Sequence, residues 1–270
     1  MAVQVNTFDQ LRDATAALAS DSDAHFLGGG TLLVRQLFAG KLGAPTLIRC
    51  SDRGLREIRA SASRVFIGAG VTMAEVAAHG DLAYLHVAAK SIGGPAVRNM
   101  ATVGGNLFAP YPHGDFAVAL LALDATVAVQ SGYSPRDIPL ESFLESRQSD
   151  RRSVVVGVTF RRPDGAGALR FLKATRTRTQ GPSVLTIAAY LPQSGRRLSS
   201  PRVAYGAMAA TAMRAKAVEA ALNGKSLDEA GIADALAVAG QGCTPQSDPI
   251  VSEWYRKEVL PVHLKQLLLG

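Results

Sequence analysis

Cysteine is almost absent from this sequence: Cys50 and Cys243 are the only two in 270 residues. Two thiols cannot supply the four ligands of a zinc site or of an iron–sulfur cluster. One bridge between them would not make a disulfide framework for a chain of this length. They read as two buried free thiols in a reducing compartment. Long apolar runs are missing as well. Phe116–Leu123 and Val184–Leu191 fall far short of the roughly 18–20 residues that span a bilayer, so no membrane segment is expected. No basic region followed by an apolar one opens the chain, and a cytoplasmic location is the expectation. Aromatic residues make up only 6% and are not interleaved with basic ones in the manner that stacks on nucleic-acid bases. No Gly-Lys-Ser/Thr follows a glycine-rich loop, and no G-x-G-x-x-G and no G-x-S-x-G occurs, which leaves out a P-loop, a Rossmann dinucleotide site and a serine elbow. The histidines (His25, His79, His86, His113 and His263) show no metal spacing and have no cysteine or carboxylate cluster around them. His113 differs from the rest only in lying within an irregular loop.

What is present describes a folded protein. The chain is 47% hydrophobic and 19% charged, enough to bury a substantial core, and its length suggests about two domains. The net charge of +7 is not spread evenly. Arg147, Arg151, Arg152, Arg161, Arg162, Arg170, Lys173, Arg176 and Arg178 face only Asp150 and Asp164 in the same stretch, which accounts for the whole surplus. Such a segment suits nucleic acid, an acidic partner protein or an anionic cofactor, and equally a solvated strand edge and loop.

Hydrophobic periodicity lays out the elements. Thr7 and Gln10 have capping-box spacing, and Phe8, Leu11, Thr15 and Leu18 then recur at helical spacing. A short strand at His25–Leu27, a glycine loop, a helix over Leu32–Ala39 and a strand at Thr46–Cys50 follow. A strand at Arg64–Ala69 precedes a second capping box, Thr72 and Glu75, with a helix to Ala78. Leu82–Lys90 reads as helix. Ser91–Gly114 has no periodicity, and so long an irregular stretch inside a compact domain is usually functional. A helix (Phe116–Leu123) and strands at Thr126–Gln130 and Val154–Phe160 come next. Strands at Leu169–Ala174, Val184–Leu191 and Val203–Met208 then precede helices near Ala212–Leu222, Asp228–Ala239 and Glu253–Leu268. That order implies a separate α+β domain beginning near Gly165, with Pro163–Gly167 as its hinge. Trp254 and Tyr255 read as packing residues of the last helix.

Two glycine-rich loops dominate the chemistry: Gly28-Gly29-Gly30-Thr31 and Thr102-Val103-Gly104-Gly105-Asn106. Glycine lets a backbone approach a ligand and turn its N–H groups inward, and consecutive inward N–H groups bind anions. Either loop alone is equally a plain turn; two together suggest a pyrophosphate gripped from both sides.

In this order and spacing the segments GGGTLL, IGAGVTMAEV and SIGGPAVRNMATVGGNLFAPYPHGDFAVALLALDATV resemble the FAD-binding medium subunit of molybdenum hydroxylases, of the carbon monoxide dehydrogenase and xanthine dehydrogenase type. The resemblance continues through FLKATRTR and ATAMRAK and covers nearly the whole chain. It implies an α+β fold: a two-subdomain FAD-binding unit of the PCMH type over residues 1–165 (subdomains about 1–57 and 58–165), then a C-terminal α+β domain over 166–270 with a small antiparallel sheet and a helix bundle. It implies FAD as cofactor, its pyrophosphate between Gly28, Gly29, Gly30, Thr31, Leu32 and Leu33 on one side and Ala101, Thr102, Gly104, Gly105 and Asn106 on the other. Asp115 matches the family's loop aspartate, which bonds polar parts of the cofactor, and Lys173 matches a basic residue near the flavin. No side chain is required as catalytic nucleophile or metal ligand.

The implied function is electron transfer within a complex. Substrate would be hydroxylated at a molybdenum cofactor in a large partner subunit. Electrons would pass through 2Fe–2S clusters of a small one to this chain's FAD, then to NAD, a quinone or O2. The implied assembly is a heterotrimer or a dimer of heterotrimers, with no nucleic-acid or membrane partner. Two departures stand out. Where the family usually has an acidic residue, this chain reads Gln180-Gly181-Pro182-Ser183; and two cysteines cannot hold the extra cluster that some members carry. The resemblance leaves Arg147, Arg151, Arg152, Arg161 and Arg162 to face solvent or an acidic partner subunit. The alternatives are a self-sufficient FAD-dependent oxidoreductase, which the sequence supports with no convergent acid–base set, and a nucleic-acid-binding module on the Arg147–Arg178 stretch.

Overall fold

The computed structural model of the chain describes residues 3–43, 45–131, 135–147, 152–177 and 181–270. Its first layer is β1 (Gln4–Phe8), α1 (Leu11–Ser20), β2 (His25–Phe26), α2 (Leu33–Phe38) and β3 (Thr46–Cys50). The strands form a parallel sheet in the order β1-β3-β2, with Gln4 opposite Thr46 and His25 opposite Leu47. Parallel neighbours need crossover connections, and α1 and α2 supply them. Leu11, Ala14, Thr15 and Leu18 of α1 are buried, one helical face against the sheet. The capping box expected at Thr7 and Gln10 is not there. Thr7 belongs to β1, where its side chain cannot turn onto the helix, and Gln10 makes no side-chain cap bond. Asp52 takes that role from a distance, accepting the Leu11 amide at 3.2 Å and the Gly54 amide at 2.9 Å.

The second layer adds β4 (Ile58–Ala60), β5 (Arg64–Gly68), α3 (Met73–Ala78), α4 (His86–Lys90), α5 (Pro95–Arg98), α6 (Val103–Leu107), α7 (Asp115–Ala122), β6 (Thr126–Gln130), β7 (Arg136–Pro139), α8 (Leu140–Ser146) and β8 (Val154–Arg161). Its strands make an antiparallel sheet in the order β4-β5-β8-β6-β7. The second capping box is real: the Glu75 amide donates to Thr72 Oγ1 at 3.2 Å, and the Thr72 amide donates to Glu75 Oε2 at 2.8 Å. The single helix expected over Leu82–Lys90 is divided, a 3-10 turn (Gly80–Leu85) running into α4 with non-helical backbone at Leu82. Every residue of α7 is buried. A helix apolar all round is a core helix, covered on every side.

The last layer is β9 (Leu169–Thr175), β10 (Ser183–Tyr190), a short hairpin of β11 (Gln193–Ser194) and β12 (Arg197–Leu198), β13 (Arg202–Gly206), β14 (Met213–Arg214), α9 (Lys216–Leu222), α10 (Glu229–Ala237) and α11 (Glu253–Leu269). The sheet order is β14-β13-β10-β9, antiparallel throughout. The helix expected from Ala212 starts only at Lys216, because Met213 and Arg214 pair with Tyr205 and Ala204. All of β10 is buried, and its two faces go to different cores. Ala188 and Tyr190 join the core around α7, while Leu185, Ile187 and Ala189 pack under α11. Trp254 and Tyr255 are not core: they are 65% and 45% exposed and line a groove of about 730 Å³ between β9 and α11.

The basic stretch is largely spoken for. Arg147 is buried, and its guanidinium donates to the carbonyls of Leu107 and Ala109; burial pushes its pKa down. Arg162 pairs with Asp81 at 2.8 Å, Arg170 donates to the Leu267 and Leu268 carbonyls at the end of α11, and Arg176 donates to the Ile250 carbonyl. The expectation that Arg147 faces solvent or a partner is therefore corrected: an arginine fork satisfies several carbonyls at once where helices and loops end without partners. Arg152 and Arg161 are exposed; Arg151, Arg178 and Gln180 lie outside the described residues. Cys50 and Cys243 are free and half-buried, and burial raises the pKa of both thiols, Cys243 to about 11. Among the described residues no helix is long and apolar enough to cross a membrane.

Replacing Thr72 by Ala removes both its share of the capping box and a buried hydroxyl. It should lower stability by about 1–2 kcal/mol in urea unfolding, whereas Thr72→Ser should lose only a fraction of that.

Candidate functional site

The first glycine loop lies against the backbone that leads into the second. A Cβ on Gly29 would stand 1.5 Å from the Met100 carbonyl oxygen, so only glycine allows this approach. A Cβ on Gly28 would stand 3.2 Å from Thr102 Oγ1. Gly30 has φ +75, the left-handed turn that carries the chain from loop to helix. The first hydrogen bond of that helix runs from the Val34 amide to the Gly30 carbonyl at 3.0 Å. Among the described residues, none of the amides of Gly28, Gly29, Gly30, Thr31, Leu32 and Leu33 has a hydrogen-bond acceptor. Six consecutive open amides are a ready cradle for an anion.

The second loop is built differently. The Met73 amide donates to the Ala101 carbonyl, the Val103 amide to the Val71 carbonyl and the Gly104 amide to the Ala69 carbonyl, each at 2.8 Å. The Gly105 amide donates to Thr102 Oγ1 at 3.0 Å. A Cβ on Gly104 would press on Ala69 at 2.8 Å. These glycines thus serve close packing against the neighbouring strand end. Thr102 keeps its amide free and can still donate from its hydroxyl. Asn106 Oδ1 accepts the Ala117 amide at 3.2 Å, which ties the loop to α7.

Asp115 opens α7 and is 4% exposed. Its Oδ2 is 2.8 Å from Lys173 Nζ on β9. Its Oδ1 accepts the Ser183 hydroxyl at 2.5 Å and the Thr186 hydroxyl. Lys173 also donates to the Ser91 carbonyl at 3.0 Å. Both residues matched by resemblance therefore have protein partners, chiefly each other. A bulge between Ser183 and Leu185 brings Ser183 to the Thr186 side of β10. From Ser183 the network continues: its carbonyl accepts from Arg256, which is fully buried and pairs with Asp248 at 2.8 Å. Burial disfavours the Asp248 anion, but the bonds from Arg256 and from the Ile250 and Val251 amides outweigh it and hold the pKa low. The Tyr111 ring packs 5.2 Å from the Arg256 guanidinium, and its hydroxyl donates to the Gln246 carbonyl at 2.9 Å.

Ser183, Thr186, Tyr111, Asp248 and Arg256 were not anticipated from the sequence. The one legible signal was two hydroxyls, Ser183 and Thr186, within an otherwise apolar strand. Among the described residues no three His, Cys, Asp or Glu side chains gather as a metal set.

Residues 2–160 match the family described as the FAD binding domain in molybdopterin dehydrogenase, and residues 170–270 match the CO dehydrogenase flavoprotein C-terminal domain. The chain is 30% identical to the 6-hydroxypseudooxynicotine dehydrogenase complex subunit alpha of Paenarthrobacter nicotinovorans, over 96% of this chain and 91% of that one. It is 25% identical to the glyceraldehyde dehydrogenase medium chain of Sulfolobus acidocaldarius, over 94% and 92%. Among solved structures it resembles the carbon monoxide dehydrogenase of Hydrogenophaga pseudoflava with a TM-score of 0.91 and 26% identity, covering 99% of this chain and 96% of that one.

Removing the Asp115 charge leaves Lys173 buried without a counter-ion. Asp115→Ala should cost about 3–5 kcal/mol in urea unfolding, and the paired change Asp115→Leu with Lys173→Met should cost clearly less.

Proposed function

This chain belongs to the family of FAD-binding subunits of molybdopterin dehydrogenases, and from that membership we propose that it is the electron-transfer subunit of a heteromeric molybdenum hydroxylase. It takes electrons from 2Fe–2S clusters of a small partner subunit and passes them to an external acceptor such as NAD, a quinone or O2. A large molybdopterin-binding subunit carries the hydroxylation, in a heterotrimer or a dimer of heterotrimers. The flavin unit is assigned to residues 1–165 and the appended domain to residues 166–270.

The observation that carries this reading is the run of open amides from Gly28 to Leu33 laid against Met100–Thr102. A pyrophosphate is a dianion with several acceptor oxygens, and such a run offers donors without the bulk of side chains. Bound FAD supplies a carrier that accepts electrons singly and releases them in pairs. The chain's own task is to hold, orient and shield it. Gly28, Gly29, Gly30, Thr31, Leu32 and Leu33 grip the pyrophosphate, and Thr102 adds a hydroxyl and an amide from the facing wall. Ala101, Gly104, Gly105 and Asn106 fix where that wall stands, through their bonds to Met73, Ala69, Thr102 and Ala117. Asp115 and Lys173 act on the cofactor as a positioning pair that joins the second loop's helix layer to β9.

The full chain, purified, should show flavin absorption or take up FAD on reconstitution. Absence of both overturns the reading. Gly29→Ala, by driving the loops apart, should weaken FAD binding by about tenfold or more, about 1.4 kcal/mol, in a fluorescence titration.

A further inference from the structure

The chain's only tryptophan is out of place for a packing residue. Trp254 and Tyr255 stand in the first turn of α11, yet they are 65% and 45% exposed and line the groove between β9 and α11. An aromatic ring left in water forgoes hydrophobic free energy that a bound ligand recovers. At about 730 Å³ the groove falls within the span of small-molecule sites, about 300–1,000 Å³. Partly buried Leu172 and Ala174 of β9 and buried Val184 of β10 give it an apolar wall. Among the described residues no carboxylate lines it, and neither glycine loop contributes a residue to it.

The aromatic end of the groove carries one cation with donors to spare. Arg176 directly follows β9, is exposed, and has no carboxylate partner among the described residues. Its Nη1 donates to the Ile250 carbonyl at 2.9 Å. Ile250 stands just ahead of Ser252, the cap of α11, whose hydroxyl accepts the Tyr255 amide at 3.2 Å. The guanidinium is thus tied down beside the turn that bears both rings. A guanidinium carries several N–H donors in one plane, so the rest of this fork is open to an oxyanion. Lys173 lines the groove as well, but its ammonium is engaged by Asp115 and by the Ser91 carbonyl.

We propose that this groove is a binding site for a planar aromatic anion, whose ring lies against Trp254 and Tyr255 and whose carboxylate or phosphate is held by Arg176. An aromatic carboxylate and a nucleotide share this chemistry. An anion without a ring gains only a contact to an exposed arginine, where water and salt compete. An uncharged ring gains only stacking and burial. A ligand that carries both on one rigid frame gains both together. The bond to Ile250 holds the guanidinium in place beforehand and so lowers the ordering cost of binding. The proposal does not rest on the cofactor reading, because no residue of the amide cradle takes part.

The test uses the isotope-labelled full chain. With one tryptophan, a single indole N–H resonance reports on this groove. Naphthoate and AMP are the probes, naphthylmethanol and adenosine their uncharged counterparts, and cyclohexanecarboxylate an anion without a π face. The indole resonance should shift with naphthoate, AMP or both, at a dissociation constant about tenfold or more below that of the uncharged counterpart. Tighter binding of naphthoate names an aromatic carboxylate as the ligand class; tighter binding of AMP names a nucleotide. R176Q should abolish the preference for the charged member of each pair. Y255A should weaken charged and uncharged members alike, by about three- to tenfold. If R176Q does not fold, the wild-type comparison of charged with uncharged rings decides. An indole resonance that no probe moves overturns the proposal. So does equal affinity for charged and uncharged rings, or for naphthoate and cyclohexanecarboxylate. Loss of the shift in the FAD-saturated chain also overturns it, since the cofactor's own ring would then fill the groove.

Discussion

One buried negative charge organises this molecule. Asp115 stands at the first turn of a helix with no exposed residue, where the helix dipole favours an anion. Burial would disfavour that anion without close cationic and hydrogen-bonding partners. Its partners are Lys173 from β9 and the hydroxyls of Ser183 and Thr186 from β10. The C-terminal sheet is thereby fixed over α7. The same helix receives Asn106 through the Ala117 amide, Asn106 belongs to the second glycine loop, and the backbone leading into that loop sets where Gly29 rests. The open amides of the first loop thus owe their position to a contact made on another layer.

Much of the architecture is legible in the sequence. Thr46–Cys50 and Met73–Ala78 fall where periodicity and capping put them, because each is settled by neighbours in sequence. The misreadings share one cause. The first amide of α1, that of Leu11, is bonded not by Thr7 but by Asp52, 41 positions away. Met213 and Arg214 leave a helical pattern to pair with β13. In both places a tertiary partner offered the backbone a better bond than the local one. The candidate site was legible in a similar proportion. Glycine clusters announce close approach, so Gly29 was readable; that the open donors would concentrate on the first loop was not. That distinction depends on Ala69, Val71 and Met73 consuming the second loop's bonds.

The cationic stretch shows why charge totals mislead. Its surplus suggested a surface field, yet Arg147, Arg170 and Arg176 spend their donors on carbonyls at chain ends and turns. Arg256, outside that stretch, adds carbonyl bonds to its pairing with Asp248 from complete burial. A guanidinium's planar fork suits this work because it meets several acceptors without a carboxylate. These residues are therefore part of the scaffold, and their charge says little about what the protein meets in solution.

The double-faced β10 strand also governs how the protein is made. A ribosome releases α7 well before β10, so for the intervening synthesis the apolar side of α7 that Ala188 and Tyr190 later cover stands bare. The leading portion cannot finish its core alone; it must wait for the trailing one. Parting the two segments would leave one with an exposed helix and the other with half a sheet unfaced.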